Sequence, residues 1–156
     1  MIDRWVTESK IDEVLQWYLT QDIDVGFGDK PRIDLCERKV VLDDADTNED
    51  LFCAALHEAG HFRVNEKGDW SQKYPIRQEV RDGIESEDSS FSALELLHEE
   101  MEAWEEGRQL AVELFDWDVG QEDYWIQRKA NALMSYVRFV VKQTNEEFPG
   151  IFTGVL

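Results

Sequence analysis

The stretch TNEDLFCAALHEAGHFRV, residues 47–64, predicts one amphipathic helix that carries the residues most informative about function. Its start has a capping-box pattern, formed either by Asp46 with Glu49 or by Thr47 with Asp50. The helix should run to about residue 64.

The two sides of this helix differ in chemistry. At about 100° per residue, one side carries polar and small residues, namely Cys53, His57, Gly60, His61 and Val64. The other side is apolar and carries Leu51, Phe52, Ala55, Leu56, Ala59 and Phe62. We therefore expect the apolar side to pack in the core and the histidine side to face a cleft.

The motif His57-Glu58-Ala59-Gly60-His61 is a complete HExxH sequence. Two imidazoles separated by about 6 Å of helix rise can bind one tetrahedral Zn²⁺. Glu58 would then lie beside the metal without binding it, where a general base could take a proton from a zinc-bound water. A lone histidine on a helix is usually a surface or hydrogen-bonded residue. The full motif, in a chain with three histidines, favours a metal site.

A third protein ligand is expected because catalytic zinc normally has three, with one open position. In the helix near residue 100, Glu100 falls on the apolar side. The other acids, Glu99, Glu102 and Glu106, project to the solvated side, and His98 lies at the border. The apolar side is defined by Leu94, Leu97, Met101, Trp104 and Ala111. A buried carboxylate needs a partner. The sequence therefore predicts Glu100 as the third ligand.

Small residues flank Glu100 on the same side of this helix. They are Ala93, Ala103 and Gly107. Because their side chains occupy little space, we expect another helix to approach closely there.

The remaining pattern predicts an α+β fold in one domain spanning residues 1–156. Helical periodicity covers residues 8–20, 91–115 and 122–141. Ile23, Val25 and Phe27 alternate with polar residues, and Ile33, Leu35 and the run Val40 to Leu42 indicate one or two further strands, so a small two- or three-stranded sheet is predicted. That sheet, antiparallel or mixed, should flank the metal cleft. Residues 65–90 contain Gly68, Pro75 and Gly83 without periodicity and are predicted to be a long surface excursion.

Composition limits the partners and the compartment. Thirty-five acidic and sixteen basic residues give a net charge of −19, which disfavours binding to nucleic acid or to anionic membranes. Residues 1–5 lack the pattern of a secretory signal, and no apolar run approaches a membrane span. Two distant cysteines, Cys36 and Cys53, fit a reducing compartment, so a cytoplasmic protein is expected. Cys53 is predicted to be a buried small residue, not a ligand.

The HExxH motif followed by Glu100-Met101-Glu102-Ala103 resembles the gluzincin pattern. It is most similar to small metallopeptidases of the ImmA/IrrE type and related minimal zincins of bacteria, phages and mobile elements. The resemblance implies a zincin-like fold and zinc-dependent hydrolysis of peptide bonds in a peptide or protein substrate. Many gluzincins have an acid or amide four residues after the glutamate ligand to orient a histidine, whereas this chain has Trp104.

Three further points stay open from sequence alone. The donor that would stabilise a developing oxyanion could be His98, Tyr74 or Tyr124. A non-catalytic acidic interaction protein, for instance a DNA mimic on the same scaffold, is one alternative function. A zinc hydrolase of a non-peptide substrate is another, because HExxH defines the metal-bound water better than it defines the substrate.

Overall fold

The computed structural model describes residues 5–44 and 46–150, which form six α-helices and three strands. In chain order the elements are α1 (Glu8–Thr20), β1 (Asp24–Gly28), β2 (Arg32–Asp34), β3 (Lys39–Asp43), α2 (Asn48–Glu66), α3 (Trp70–Lys73), α4 (Pro75–Arg81), α5 (Ser90–Phe115), a 3-10 turn (Val119–Gln121) and α6 (Asp123–Glu147). This confirms the predicted α+β class. Residues 1–4, which make up most of the stretch predicted to lack a secretory signal, lie outside the described ranges.

The three strands form a mixed sheet in the order β1-β3-β2. β1 pairs parallel to β3, and β2 pairs antiparallel to it. In β3 the run Val40, Val41 and Leu42 is buried without alternation, as expected for a central strand covered on both faces. β3 packs against α2, and β1 packs against α1. No helix in the described ranges is long and apolar enough to cross a bilayer.

Helix α2 begins with the second of the two predicted caps. The Thr47 hydroxyl accepts a hydrogen bond from the Asp50 amide at 3.3 Å, and the helix continues to Glu66, two residues beyond the predicted end. Both of its sides are covered, because α1 and β3 pack against it on one side and α5 on the other. The histidine side is therefore recessed and not an open cleft face. Only 13% of the His57 side chain and 10% of the His61 side chain are exposed.

Glycines permit the close crossing of α2 and α5. A Cβ atom on Gly60 would lie 1.8 Å from the Ala103 carbonyl oxygen, and one on Gly107 would lie 2.4 Å from the Leu56 carbonyl oxygen. Neither position can therefore carry a side chain at this helix separation. The expected close approach of another helix beside Ala103 and Gly107 is confirmed, and that helix is α2.

The prediction of an unstructured excursion over residues 65–90 is wrong for residues 70–81. Trp70 and Tyr74, four residues apart, are buried with Val64 in a small second core, which stabilises the short helix α3. Pro75 then begins α4 at a position where its missing amide is not needed. Glycines with positive φ, Gly68 at 78° and Gly83 at 73°, end α2 and α4.

Replacing Gly60 with alanine should destabilise the fold. Helix propensity alone favours alanine by about 1 kcal/mol. The new methyl would overlap the α5 backbone, and such overpacking costs about 1–3 kcal/mol or more. Because the new Cβ would lie 1.8 Å from a backbone oxygen, the upper end of that range applies, and we expect a net loss of about 2 kcal/mol in urea unfolding. In the control Gly26→Ala, the added Cβ meets no atom closer than 3.8 Å, so stability should not fall.

The two thiols should differ sharply in reactivity. Cys36 is exposed, whereas Cys53 is buried, and burial raises the pKa of the Cys53 thiol to about 12. Because the thiolate is the reactive form, iodoacetamide at a pH near 8 should add once to the native protein and twice after denaturation. Intact-mass measurement would detect this. Native modification of Cys53 at the rate of Cys36 would contradict the packing of α2.

Candidate metal centre

Helices α2 and α5 bring His57, His61 and Glu100 together. The Nε2 atom of His57 lies 3.1 Å from Glu100 Oε2, and the Nε2 atom of His61 lies 3.4 Å from Glu100 Oε1. One ligand atom from each residue falls within 4.8 Å of the others. The two histidines share a face of α2, and Glu100 lies one turn before Ala103, the residue that contacts Gly60 at the helix crossing.

The spacing of these atoms fits a small cation. In a tetrahedral site with bonds of about 2.0–2.1 Å, the ligand atoms lie about 3.3 Å from one another. Each histidine nitrogen lies close to that distance from one of the two Glu100 oxygens, His57 from Oε2 and His61 from Oε1, and all three ligand atoms lie within 4.8 Å of one another. Two imidazole nitrogens and one carboxylate oxygen are also a donor set that zinc accepts. The residues present therefore fit a metal ion held by three protein ligands.

The electrostatics of the cluster favour a cation. Burial opposes protonation of His61, but its hydrogen bond to Glu100 and the charges of Glu100, Glu58 and Glu99 outweigh burial and raise its pKa. Burial also works against ionisation of Glu100, yet its hydrogen bonds to His57 and His61 hold its pKa well below the usual range. Three carboxylates thus converge on one recess, where they stabilise positive charge.

Two polar atoms in the recess have no hydrogen-bond partner among the described residues. They are Nδ1 of His57 and Oε2 of Glu58, and both are buried. An unpaired buried polar atom is costly, and such atoms often mark positions reserved for chemistry. Glu58 follows His57 directly in α2, so its carboxylate is beside the ligand group without being part of it.

Trp104 occupies the place where many gluzincins have an orienting acid or amide. Its ring stacks on the His57 imidazole, with centroids 4.4 Å apart and an interplanar angle of 22°. It is 2% exposed and makes an edge contact with Trp125 of α6. The His57 ring is therefore held in place by packing, without a hydrogen bond at Nδ1.

The predicted orientation of α5 is partly wrong. Leu94 and Met101, assigned to the buried side, are 48% and 49% exposed, and Glu99, assigned to solvent, is 7% exposed. The acids Glu102 and Glu106 are also only partly exposed and pair with Lys73 and with Arg63 and Lys67. The reason is that α2, α4 and α6 all pack against α5. The face toward α2 is built from small residues, so large apolar residues do not mark it.

Buried Glu99 forms a second charged contact beside the site. Its Oε2 lies 4.0 Å from Nε of Arg77 on α4, and neither atom has a hydrogen-bond partner within the described ranges. Arg77 also lies 3.9 Å from Glu87. Arg77 of α4 and Glu99 of α5 therefore lie at the contact of these two helices, and Glu99 directly precedes Glu100 in the chain.

Tyr136 is a site residue that the sequence analysis missed. Burial, the charge of Glu100 and a hydrogen bond with that carboxylate raise the Tyr136 pKa, and Glu58 and Glu99 raise it further. Tyr136 is three helical turns after the buried Trp125 and one turn before the buried Val140, so the period of α6 could have identified it.

The three donors proposed from sequence lie elsewhere. His98 has a side chain 59% exposed and pairs with Glu102. Tyr74 is fully buried against His98. Burial raises the pKa of its hydroxyl, and the Glu102 carboxylate raises it further. Tyr124 faces Cys53, Glu122 and Glu49, away from the ligand group.

Comparisons with family models, with curated proteins and with solved structures found no match to this chain. The resemblance to gluzincins therefore rests on the motif residues alone, and the site has to be assessed from its own geometry.

The ligand assignment predicts about one zinc ion per chain by elemental analysis after equilibration and removal of free metal. His57→Ala, His61→Ala and Glu100→Ala should each lower zinc affinity strongly. Loss of a residue that only hydrogen-bonds to a ligand already costs about tenfold to hundredfold, and loss of a ligand should cost more. The control is His98→Ala, because His98 is exposed and lies outside the ligand group. A wild-type protein that takes up no zinc in an apo titration would refute the assignment.

Proposed function

We propose that this protein is a zinc-dependent hydrolase that cleaves peptide bonds. One observation supports this most directly: His57, His61 and Glu100 present one ligand atom each within 4.8 Å, with the unpaired carboxylate of Glu58 beside them. Catalytic zinc sites commonly combine three protein ligands with one open position. A purely structural zinc site would close that position with a fourth protein ligand.

In this proposal His57, His61 and Glu100 hold the ion. When bound, Zn²⁺ would act as a Lewis acid, which lowers the pKa of a coordinated water and polarises a carbonyl group. Glu58 has no competing hydrogen bond at Oε2, so that oxygen is free to accept a proton from the attacking water. The same carboxyl group can then deliver the proton to the leaving amine.

Tyr136 is proposed to stabilise the oxyanion that develops on the substrate carbonyl. Its raised pKa keeps the hydroxyl protonated at neutral pH, which is the state that can donate a hydrogen bond. Its position near both Glu100 and Glu58 places this donor beside the proposed ligand and base. As substrate enters, the hydroxyl would exchange its bond to Glu100 for one to the carbonyl oxygen.

The substrate proposed is a neutral or basic peptide segment in an extended conformation. A chain with a net charge of −19 repels acidic peptides at long range and attracts basic ones. The outer strands β1 and β2 each pair on one side only within the described sheet, so an edge is available for strand addition.

Glu58→Gln should separate the roles of base and ligand. The amide keeps the size of the side chain but cannot accept the proton, so we expect zinc occupancy to persist while peptide hydrolysis falls by at least about 100-fold. A library of neutral and basic peptides incubated with zinc-loaded protein and followed by mass spectrometry provides the measurement. If the wild type cleaves only non-peptide esters or amides, the substrate class is wrong. If it cleaves nothing while binding zinc, a non-catalytic role is favoured.

Tyr136→Phe should lower kcat with little change in KM. It removes one donor that acts mainly in the transition state, and the loss of one such donor commonly costs about 100- to 1000-fold. Zinc affinity should change little, because the hydroxyl is not one of the ligand atoms. Tyr124→Phe is the matched control, since Tyr124 lies away from the site. Equal kcat values for Tyr136→Phe and wild type would remove Tyr136 from the mechanism.

A further inference from the structure

The hairpin formed by α5 and α6 has an outward face rich in exposed apolar side chains. On α5 these are Phe91, Leu94 and Met101, which are 60%, 48% and 49% exposed. On α6 they are Ile126, Met134 and Val137, which are 49%, 48% and 38% exposed. A monomeric protein normally leaves such residues scattered, and a continuous apolar face marks an interaction site.

Helices α5 and α6 lie side by side and antiparallel, so their exposed apolar residues form one continuous face. The Ser90 amide and hydroxyl at the start of α5 donate hydrogen bonds to the Glu147 carboxylate at the end of α6. At spacings of seven and four residues, Leu94, Met101 and Glu105 follow one stripe of α5. Glu105 also lines a groove of about 570 Å³ together with Ile126, Ala130 and Leu133 of α6, so the stripes of both helices border the same surface.

We infer that this outward hairpin face binds a second copy of the same chain, forming a two-fold dimer built on a four-helix bundle. A second copy is favoured by the opposite charge of residues at the two edges of this face. Of the seven acidic residues of α5, six contact α2, α3 or α4, and Glu105 is the one that borders the face. α6 contains four basic and three acidic residues. Two-fold pairing of hairpins can place each α6 against the partner's α5, so opposite charges meet across an apolar centre.

Two basic residues beside the apolar stripe have the properties this pairing requires. Arg138 and Lys142 on α6 are exposed, and neither forms an ion pair with another residue in the described ranges. On α5 the acidic residue at the edge of the face is Glu105, which keeps 47% of its side chain exposed although it contacts Arg108. The dimer would supply the acidic partners that Arg138 and Lys142 lack among residues 5–44 and 46–150.

The face is also large enough for a stable dimer. A helix of 25 residues is about 37 Å long, and two adjacent helices present a width of about 20 Å. The resulting surface of about 750 Å² is close to the roughly 800 Å² per partner that standard interfaces bury. Helix α2 packs on the opposite side of α5, at Ala103 and Gly107, so pairing leaves the metal ligands uncovered. Dimer formation should therefore be independent of zinc and of the proposed activity.

Sedimentation equilibrium of the full chain tests this directly. Near 0.15 M salt, repulsion between distant charges is screened over about 8 Å. Under these conditions we expect the measured mass to approach twice the monomer mass as the protein concentration is raised to about 100 µM. Val137→Asp and Met101→Asp should each weaken dimerisation by at least about tenfold, because each buries an unpaired charge. Leu19→Asp is the control, since Leu19 is 61% exposed on α1, away from this face, and it should leave the dimer unchanged.

A charge-reversal experiment tests the choice of a second copy. Arg138→Glu with Lys142→Glu should weaken self-association, and mixing this variant with Glu105→Lys should give a heterodimer stronger than either variant alone. Circular dichroism would verify that each variant is folded. A wild-type chain that stays monomeric at the highest concentration would overturn the inference and leave the face to another partner. A dimer unaffected by both Val137→Asp and Met101→Asp would also overturn it.

Discussion

The backbone of the HExxH helix lies directly against the backbone of α5, and the grouping of His57, His61 and Glu100 depends on that contact. Gly60 is a variable position of the motif, yet here a Cβ atom would collide with the Ala103 carbonyl oxygen at 1.8 Å. Gly107 plays the reciprocal role against Leu56. Because Glu100 precedes Ala103 by one turn, the separation of the two helices fixes the distance between its carboxylate and the histidines. The glycine in HEAGH is therefore part of the site geometry.

Much of the architecture could be predicted because it follows from local patterns. The cap of α2, the extent of α1 and the positions of the short strands each depend on neighbours in the sequence. A buried carboxylate needs a partner, which predicts Glu100 as a ligand, and the structure brings Glu100 to the two histidines. What the sequence could not supply was the number of elements packed on α5. A helix contacted by three others has no single apolar side, so assigning Glu99 to solvent failed.

The missed features have a common physical cause. Trp70 and Tyr74 form a core of their own instead of joining the main one, so the short helices they anchor lack a long periodic pattern. Tyr136 belongs to a helix whose outward side is also apolar, and the exposed Met134 and Val137 obscure its buried side in the sequence. In both cases hydrophobicity marks two surfaces at once. Periodicity alone cannot separate a core face from a surface that awaits a partner.

The support of His57 has a consequence for the whole site. A histidine that binds a metal usually donates its second ring nitrogen to a carboxylate or carbonyl, which fixes the ring and increases its basicity. Here Nδ1 is buried without a partner, and the ring is held by stacking on Trp104. Stacking fixes the plane of the ring but adds no negative charge to it. The charge that favours a cation therefore comes from the carboxylates of Glu58, Glu99 and Glu100. Trp104 contacts Trp125 in turn, so the orientation of a metal ligand on α2 depends on how α6 packs, although α6 contributes no ligand atom.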